Sequence, residues 1–176
     1  MPPSNWPDEI HRVLAAQRVR IVGYVPDAGH KRLIELCHAD AGIRAVPLTT
    51  EEEGIGLAAG AWLGGEKTAL LMQSSGVGNL INVLGTVKTC RFPLLMIVTM
   101  RGEQGEFNPW QLPMGRATAA VLGAMGVSVE AVSSASEAAS TIETAVRKAF
   151  DAQESIAVLI SQRMIGIKSF EEQANQ

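Results

Sequence analysis

Aromatic residues, cysteines and long apolar runs are all scarce in this sequence. Aromatic side chains account for 5% of the residues, and the two cysteines, Cys37 and Cys90, show neither metal-ligand spacing nor a disulfide framework. No apolar run approaches the roughly 18 residues that a membrane span requires, and the first residues lack the basic and apolar regions of a signal peptide. We therefore expect a reduced, cytoplasmic protein without a membrane segment.

Clusters of basic residues are also missing. The formal net charge is -3, without a block of Lys or Arg residues, so a nucleic-acid-binding surface is not expected. Hydrophobic residues make up 47% and charged residues 19% of the sequence, a balance that favours a sizeable buried core over disorder. A length of 176 residues suits one compact domain.

Short apolar runs alternate with helical patterns along the chain. Helices are expected at 7–17, 31–39, 51–63, 77–90, 117–125 and 136–152, and strands at 19–24, 43–47, 68–72, 94–98, 127–132 and 156–160. The last helix is preceded by a capping-box pattern of Ser134 and Glu137. The strands at 68–72 and 94–98 are continuously apolar, which is typical of strands buried on both faces of a parallel sheet. The pattern predicts a single α/β domain of three layers, in which helices flank a mostly parallel sheet of six strands.

Four polar segments follow predicted strands at the edge where open parallel sheets bind ligands, beyond the carboxyl ends of the strands. They cover residues 25–30, 47–53, 73–79 and 100–116, and the last is the one long irregular stretch of the sequence. Irregular stretches of this length tend to be functional. We therefore place the candidate site at this edge of the sheet.

An acidic segment followed by small residues begins the helix expected at 51–63. Thr50 suits the cap position, and Glu53 is spaced to reach back from the third helical position. Helix capping alone explains Glu52 and Glu53 well. It does not explain the Gly and Ala residues at 54, 56 and 58–60, because each glycine weakens a helix by about 1 kcal/mol. These small residues indicate that another helix or subunit packs closely against this one.

A segment with two glycines follows the strand at 68–72. Residues 73–79 read Gln-Ser-Ser-Gly-Val-Gly-Asn, but Ile81 stands where a dinucleotide-binding loop has its third glycine, and no Lys-Ser or Lys-Thr pair follows. A phosphate-binding loop is therefore disfavoured. Two interpretations remain open: a plain polar turn between strand and helix, and a loop whose amide and hydroxyl groups hydrogen-bond a neutral ring or a small substrate.

Three motifs, taken in order, carry a family resemblance. Glu51 is followed nine residues later by Gly60, residues 71–79 read Leu-Met-Gln-Ser-Ser-Gly-Val-Gly-Asn, and Arg101-Gly102-Glu103 follows the fourth strand. This ordered set resembles the sulfopyruvate and phosphonopyruvate decarboxylases, which are thiamine-diphosphate enzymes, over about residues 22–116.

The resemblance implies a fold, a cofactor and an activity. Residues 1–168 are expected to form a thiamine-diphosphate pyrimidine-binding domain, followed by a polar tail at 169–176. In this family the glutamate at the position of Glu51 hydrogen-bonds the aminopyrimidine N1′ of thiamine diphosphate, so Glu51 is the expected catalytic residue. The other expected cofactor-binding residues are Gln73, Gly76 and Asn79. The implied reaction is the non-oxidative decarboxylation of a short 2-oxo acid, such as 3-sulfopyruvate, to an aldehyde and carbon dioxide.

A second chain is also implied by the resemblance. Enzymes of this kind hold magnesium and the cofactor diphosphate with a Gly-Asp-Gly segment followed by an asparagine, and this sequence contains no Gly-Asp-Gly. We therefore expect no metal ligands in this chain, and a diphosphate-binding beta-type partner subunit that carries magnesium within a hetero-oligomer. A truncated chain or an orphan domain is the alternative.

The segments expected to face the substrate depart from the family pattern. Ser74 stands where the family has asparagine, Ala28 where it often has serine, and Met114 where a glutamine commonly precedes the Gly-Arg pair. We therefore expect the reaction class to hold while the substrate differs. A carboligase, a decarboxylase of an uncharged 2-oxo acid, and a non-catalytic subunit of such a complex remain alternatives.

A sulfonate or phosphonate substrate requires a nearby cation, because an unpaired buried charge is costly. Arg101 is the first candidate, Arg116 the second and His30 the third. The structural alternatives are an ion pair of Arg101 with Glu103, a solvated helix start for Arg116, and a surface position in a first helical turn for His30.

Acidic, amide and aromatic side chains complete the expected substrate site. Gln73 is expected to contact the substrate as well as the cofactor. Asp27 is expected to assist proton transfer as the aldehyde is released, although a turn-forming aspartate after Pro26 would explain it almost as well. Phe107 and Trp110 would either line an apolar pocket or anchor the long loop in the core.

Overall fold

A computed structural model describes residues 6–166, and the polar tail expected at 169–176 lies outside the described residues, as do the last two residues of the expected domain. The strands are β1 Val19–Tyr24, β2 Arg44–Pro47, β3 Lys67–Gln73, β4 Leu94–Thr99, β5 Ser128–Val132 and β6 Ser155–Ile160. The helices are α1 Trp6–Ala16, α2 Lys31–Ala39, α3 Glu51–Leu63, α4 Ser74–Leu80, α5 Leu84–Cys90, α6 Leu112–Ala124, α7 Ala135–Phe150 and α8 Gln162–Ile165. Short 3-10 turns, Ala28–His30 and Pro109–Gln111, precede α2 and α6.

The six strands form one parallel sheet in the order β2-β1-β3-β4-β6-β5. Helices α1, α2 and α7 pack on one face, and α3, α4, α5 and α6 pack on the other. The predicted three-layer α/β domain is therefore confirmed, with a sheet that is wholly rather than mostly parallel. The predicted bounds of β1, α2 and α3 match the structure.

Strand β4 shows how side-chain alternation builds the core on both faces. All of its residues are buried. Leu95 and Ile97 belong to the apolar cluster beneath α1, α2 and α7, whereas Met96 and Val98 belong to the cluster beneath α3 to α6. Because successive side chains of a strand point to opposite faces, a continuous apolar run is what a strand in the middle layer requires.

The segment between β3 and β4 differs from the prediction of a turn followed by one helix at 77–90. Helix α4 begins at Ser74, directly after β3, and residues 81–83 separate it from α5. In this break Gly85 N donates to Asn82 O at 3.2 Å and Thr86 N donates to Val83 O at 2.9 Å. That spacing belongs to a tight 3-10 turn, and the weak helix propensities of the Asn, Val and Gly residues favour an interruption here.

Helix α6 begins at Leu112 rather than 117, so the irregular stretch after β4 is shorter than expected. The start of α6 lies directly against the end of β4. A Cβ at Gly102 would overlap the carbonyl oxygen of Gln111, and a Cβ at Gly115 would overlap the carbonyl oxygen of Arg101. Gly102 also has a φ of 77°, which favours glycine. Because these two glycines let the backbones come into contact, the first turn of α6 lies against the segment that follows β4.

Two helix starts lack the side-chain caps that their sequences suggest. Thr50 and Ser134 occupy the expected cap positions, but neither side chain makes a capping hydrogen bond. Ser134 Oγ lies 3.1 Å from Ser136 Oγ, so the predicted capping box is wrong. Glu53 does reach back, as expected, and accepts a hydrogen bond from Thr49 N at 2.7 Å.

No helix within residues 6–166 is both long and apolar enough to cross a membrane.

Leu70 in β3 provides a test of the packing between the sheet and α3. It is 1% exposed and fills the space left by Gly23 and Gly54. We expect Leu70→Ala to lower the free energy of unfolding by about 3 kcal/mol, because the surrounding strands cannot collapse into the cavity. Leu63→Ala is the matched control, since Leu63 is 88% exposed, and should change stability by less than about 0.5 kcal/mol. Equal losses in urea denaturation would contradict this packing.

Candidate active site at the carboxyl edge of the sheet

Glu51 is the first residue of α3, and only 8% of it is exposed. Asn79 Nδ2 in α4 donates a hydrogen bond to Glu51 Oε2 at 2.8 Å. Gly76, one helical turn earlier in α4, leaves the space that Oε1 occupies, because a Cβ at this position would overlap that oxygen. The structure thus brings Glu51, Gly76 and Asn79 together. One carboxyl oxygen is held by an amide, and no hydrogen bond from residues 6–166 reaches the other.

Asp27 lies where the carboxyl ends of β1, β3 and β4 meet. Gly29 N donates to Asp27 Oδ2 at 3.1 Å, and Thr99 Oγ1 donates to the same oxygen at 2.6 Å. Gln73 Nε2 donates to Asp27 Oδ1 at 2.9 Å. Asp27 therefore forms the turn that precedes α2, and it also ties the ends of two further strands to that turn.

Gln73, the last residue of β3, extends this network toward α6. Its Oε1 accepts hydrogen bonds from Ser75 Oγ at 2.8 Å and from Gln111 Nε2 at 3.0 Å. Gln111 was not among the predicted site residues. The only sequence hint was its place within the long segment after β4, because its partner lies 38 positions away in the chain.

His30 ends the 3-10 turn before α2 and is fully buried. The alternative suggested by the sequence, a position at the protein surface, is therefore wrong. His30 Nε2 lies 3.1 Å from the carbonyl oxygen of Ile97, and Nδ1 has no hydrogen-bond partner within the described range. Burial lowers the pKa of His30, an effect that nearby Asp27 opposes. Burial therefore favours the neutral form of this imidazole.

Arg101 forms a buried ion pair with Glu106, and not with Glu103 as the sequence suggested. Arg101 Nε donates to Glu106 Oε2 at 2.7 Å, and Arg101 Nη2 donates to Glu106 Oε1 at 2.6 Å. Glu106 also accepts hydrogen bonds from Gly102 N, Asn108 N and Gln162 Nε2 at 2.9 to 3.0 Å. The hydrogen bonds from Arg101 lower the pKa of Glu106 to about 2.

Glu103 provides a second anchor, which joins the same loop to α8. Ser161 Oγ and Gln162 N donate to Glu103 Oε2 at 2.7 and 2.8 Å, and Glu103 N donates to Gln162 Oε1 at 3.0 Å. Sequence reasoning missed Glu106 and Gln162. No local pattern identifies them, because Gln162 is 56 positions from Glu106 in the chain.

The remaining predicted residues of this region lie at the surface. Arg116 is exposed in α6 and makes no ion pair with the part of the chain that the structure describes. Phe107 and Trp110 are 57% and 71% exposed, so their predicted alternative role as core anchors is wrong. The Arg101–Glu106 ion pair performs the anchoring instead.

An apolar groove of about 480 Å³ runs between α3 and α5. Its walls include Ile55, Gly56, Ala59, Leu63 and Cys90. A Cβ at Gly56 or Gly60 would meet no other atom within 4 Å, whereas one at Gly54 would press on Leu70. Of the small residues in α3, Gly54 is therefore needed for packing within this chain, and the groove side of the helix has no covering element among residues 6–166.

Comparisons with known proteins identify the family of this chain. Residues 6–109 match the family model described as "Thiamine pyrophosphate enzyme, N-terminal TPP binding domain". The chain is 40% identical over 137 residues to sulfopyruvate decarboxylase subunit alpha of Methanothermobacter thermautotrophicus, covering 77% of this chain and 83% of that subunit. It is 32% identical over 161 residues to the sulfopyruvate decarboxylase of Methanosarcina acetivorans, covering 91% of this chain but 41% of that longer protein.

Among solved structures, the fold is similar to that of a 2-oxoglutarate:ferredoxin oxidoreductase from Magnetococcus marinus. The TM-score is 0.71 at 14% sequence identity, over 91% of this chain and 29% of that one. At this identity the likeness concerns the fold alone.

The parallel six-stranded sheet and the family match over residues 6–109 place the chain in the class of pyrimidine-binding domains of thiamine-diphosphate enzymes. Within that class, the chain belongs to the family of sulfopyruvate decarboxylase alpha subunits. The predicted family resemblance is therefore confirmed.

The Arg101–Glu106 ion pair predicts a specific acid sensitivity. The pKa of Glu106 is depressed from 4.5 to about 2 in the folded chain, so its stabilising effect is complete above the unfolded value and is lost as the pH falls toward 2. Glu106→Gln should lower the free energy of unfolding at pH 7 by about 3 kcal/mol, because Arg101 is left buried and unpaired. The variant should also lose less stability than the wild type between pH 5 and 2.

Glu143→Gln is the control for this experiment, because it breaks an exposed pair with Arg147 in α7. It should change stability by less than about 1 kcal/mol. Similar losses for the two variants at pH 7 in denaturant titrations would show that the Arg101–Glu106 pair does not stabilise the loop.

Proposed function

We propose that this chain is the pyrimidine-binding subunit of a split thiamine-diphosphate-dependent 2-oxo acid decarboxylase. Such an enzyme is a carboxy-lyase, active only when a diphosphate-binding partner chain is present. The observation that carries the proposal is the buried Glu51 carboxyl group, with Oε2 bound by Asn79 and Oε1 lying against Gly76. The names of the similar proteins favour 3-sulfopyruvate as the substrate.

The residues present fit the pyrimidine ring of the cofactor. Glu51 Oε1 receives no hydrogen bond from the described residues, and a carboxyl group can hydrogen-bond a ring nitrogen such as the aminopyrimidine N1′. Asn79 orients the carboxyl group through the other oxygen, and Gly76 gives it room. Gln73 is the further cofactor contact that we propose. When bound, thiamine diphosphate supplies the carbon nucleophile and the electron sink that decarboxylation of a 2-oxo acid needs.

Asp27 and Gln73 are the groups that we propose to face the substrate. Decarboxylation of a 2-oxo acid anion to an aldehyde and carbon dioxide takes up one proton. We propose that Asp27, held by three hydrogen-bond donors, assists the transfer of that proton. Three donors also hold the carboxyl group in one orientation, which a proton-transfer group requires.

Among the predicted cations, Arg116 is the one that we propose to meet a sulfonate group directly, because it is exposed in α6. The Arg101 guanidinium is already paired with Glu106, and His30 is buried with a lowered pKa. We therefore propose that Arg101 and His30 hold the residues of the substrate site in place and do not pair with the charge of the substrate.

A beta-type partner subunit is proposed to carry magnesium and to bind the cofactor diphosphate. We propose that it docks on the groove between α3 and α5, because α3 begins with the buried Glu51 and presents Gly56 and Ala59 to this groove, which no described part of the chain covers. The longer Methanosarcina relative, of which this chain spans 41%, has room for both functions in one polypeptide.

The proposed reaction is tested by mixing this chain with a candidate diphosphate-binding chain from the same genome, thiamine diphosphate and magnesium. We expect carbon dioxide release from 3-sulfopyruvate that requires both chains and falls at least about 100-fold in Glu51→Gln. The control is Glu137→Gln, an exposed acidic residue in the first turn of α7, which should leave release unchanged. A panel of uncharged 2-oxo acids ranks the substrates.

Two outcomes would overturn the proposed reaction. If an assembled, cofactor-loaded pair releases no carbon dioxide, a carboligase or a non-catalytic subunit becomes the better account. If release occurs but Glu51→Gln has no effect, the buried carboxyl group is not catalytic.

The proposed docking groove is tested with a bulky substitution. Gly56→Leu should leave this chain folded, because Gly56 is exposed and a Cβ there meets no atom within 4 Å, but it should weaken partner binding at least about 10-fold by filling the groove. Gly123→Leu is the matched control, since Gly123 is also helical and open but lies on α6. Equal partner affinities for the two variants in calorimetric titration would place the interface elsewhere.

A further inference from the structure

We propose that Gln111 is a positioning residue, which fixes the side-chain amide of Gln73 and, through it, the carboxylate of Asp27. The effect of Gln111 on catalysis rests on the proposed function. Its structural basis is a chain of hydrogen bonds that runs from Gln111 to Gln73 at 3.0 Å and from Gln73 to Asp27 at 2.9 Å.

The orientation of the Gln73 amide follows from its neighbours. Two donors, Ser75 Oγ and Gln111 Nε2, point at Gln73 Oε1, and one acceptor, Asp27 Oδ1, faces Gln73 Nε2. A reversed amide would place its oxygen against the Asp27 carboxylate and its NH₂ group against the NH₂ group of Gln111. Both of these contacts would be repulsive, whereas the Ser75 hydroxyl could accept as well as donate. Gln73 therefore has one favourable orientation as long as its donors stay in place.

Asp27 depends on this orientation at one of its two oxygens. Oδ2 is held twice, by Gly29 N and Thr99 Oγ1. Oδ1 is held by Gln73 alone among the described residues. If the Gln73 amide turns away, Oδ1 loses its hydrogen-bond donor. The Asp27 carboxylate is then held only through Oδ2 and can change its orientation. The hydrogen bond from Gln73 therefore fixes the orientation of the Asp27 carboxylate plane.

Gln111 can act in this way because its own backbone is held firmly. A Cβ at Gly102 would overlap the Gln111 carbonyl oxygen, so the two backbones are in direct contact. The loop between them is closed by the buried Arg101–Glu106 ion pair, and Glu106 also accepts from Asn108 N at 2.9 Å. This gives the ion pair a function in the site: it holds the residue that orients Gln73.

Two substitutions at Gln111 separate hydrogen bonding from size. Gln111→Leu removes the donor with little change in volume, and Gln111→Glu keeps the shape but replaces the donor with an acceptor. In the assembled enzyme we expect Gln111→Leu to lower kcat about 5- to 10-fold, the effect of one neutral hydrogen bond at the reacting groups. Gln111→Glu should lower kcat at least as much, because its carboxylate would face the acceptor oxygen Gln73 Oε1. Assembly with the partner and the free energy of unfolding should stay the same. Gln17→Leu, a half-buried glutamine at the end of α1, is the control and should change none of them.

A double-mutant cycle tests whether Gln111 acts through Gln73. If it does, Gln73→Leu with Gln111→Leu should be no slower than Gln73→Leu alone, because the route is already broken. Losses in kcat that multiply would overturn the proposal, since the two residues would then act independently. A loss confined to stability or assembly would also overturn it.

A crystal structure of Gln111→Leu gives a readout that does not depend on activity. We expect the Gln73 amide to leave its position against Asp27 Oδ1 in the variant. An unchanged 2.9 Å hydrogen bond between them would overturn the proposal even if the wild-type pair proves inactive. Absence of turnover in the wild-type pair, with the Gln73 amide displaced in the variant, would instead overturn the proposed function and leave the positioning role in place.

Discussion

The Glu51 side chain enters the space between α3 and α4 because Gly76 has no Cβ to exclude it. This single requirement constrains both helices. Helix α3 must begin at Glu51, and α4 must begin directly at the end of β3 so that its first turn passes beside the carboxyl group. Asn79 then lies one turn further along α4, within hydrogen-bonding distance of Glu51 Oε2. The geometry of the site therefore depends on where β2 and β3 end and α3 and α4 begin, as well as on the identity of the residues that follow these strands.

The two sides of the carboxyl edge are organised differently. Around Asp27 and Gln73, hydrogen bonds and the buried Arg101–Glu106 pair satisfy the polar groups within the chain, with the exception of His30 Nδ1. Around Glu51, one carboxyl oxygen receives no hydrogen bond from the described residues, and the adjacent face of α3 is apolar and uncovered by them. A site completed by a cofactor and a second subunit explains this contrast, because each would contact the side that this chain leaves open.

Local patterns predicted the frame of the protein, whereas the family resemblance pointed to the central residues of the candidate site. Alternation and continuous apolar runs identified every strand of the sheet, but the acidic start of α3 is explained equally well by helix capping, and only the resemblance singled out Glu51. The break between α4 and α5 was missed, since a three-residue turn hardly alters helical periodicity. Arg101 was singled out but paired with Glu103, because only the path of the loop decides which of two nearby carboxylates faces it. Gln111 and Gln162 act across long sequence separations, which no local pattern records.

The most direct measurement compares two alanine substitutions in α4 of the assembled enzyme. Gly76→Ala places a methyl group on Glu51 Oε1, whereas Gly78→Ala places one at an ordinary contact distance of 3.5 Å from Met114 Sδ. We expect Gly76→Ala to lower the rate of carbon dioxide release at least about 100-fold, while Gly78→Ala stays near the wild type and both variants remain folded. Equal rates for the two variants would contradict the claim that the buried Glu51 carboxyl group is the centre of this site.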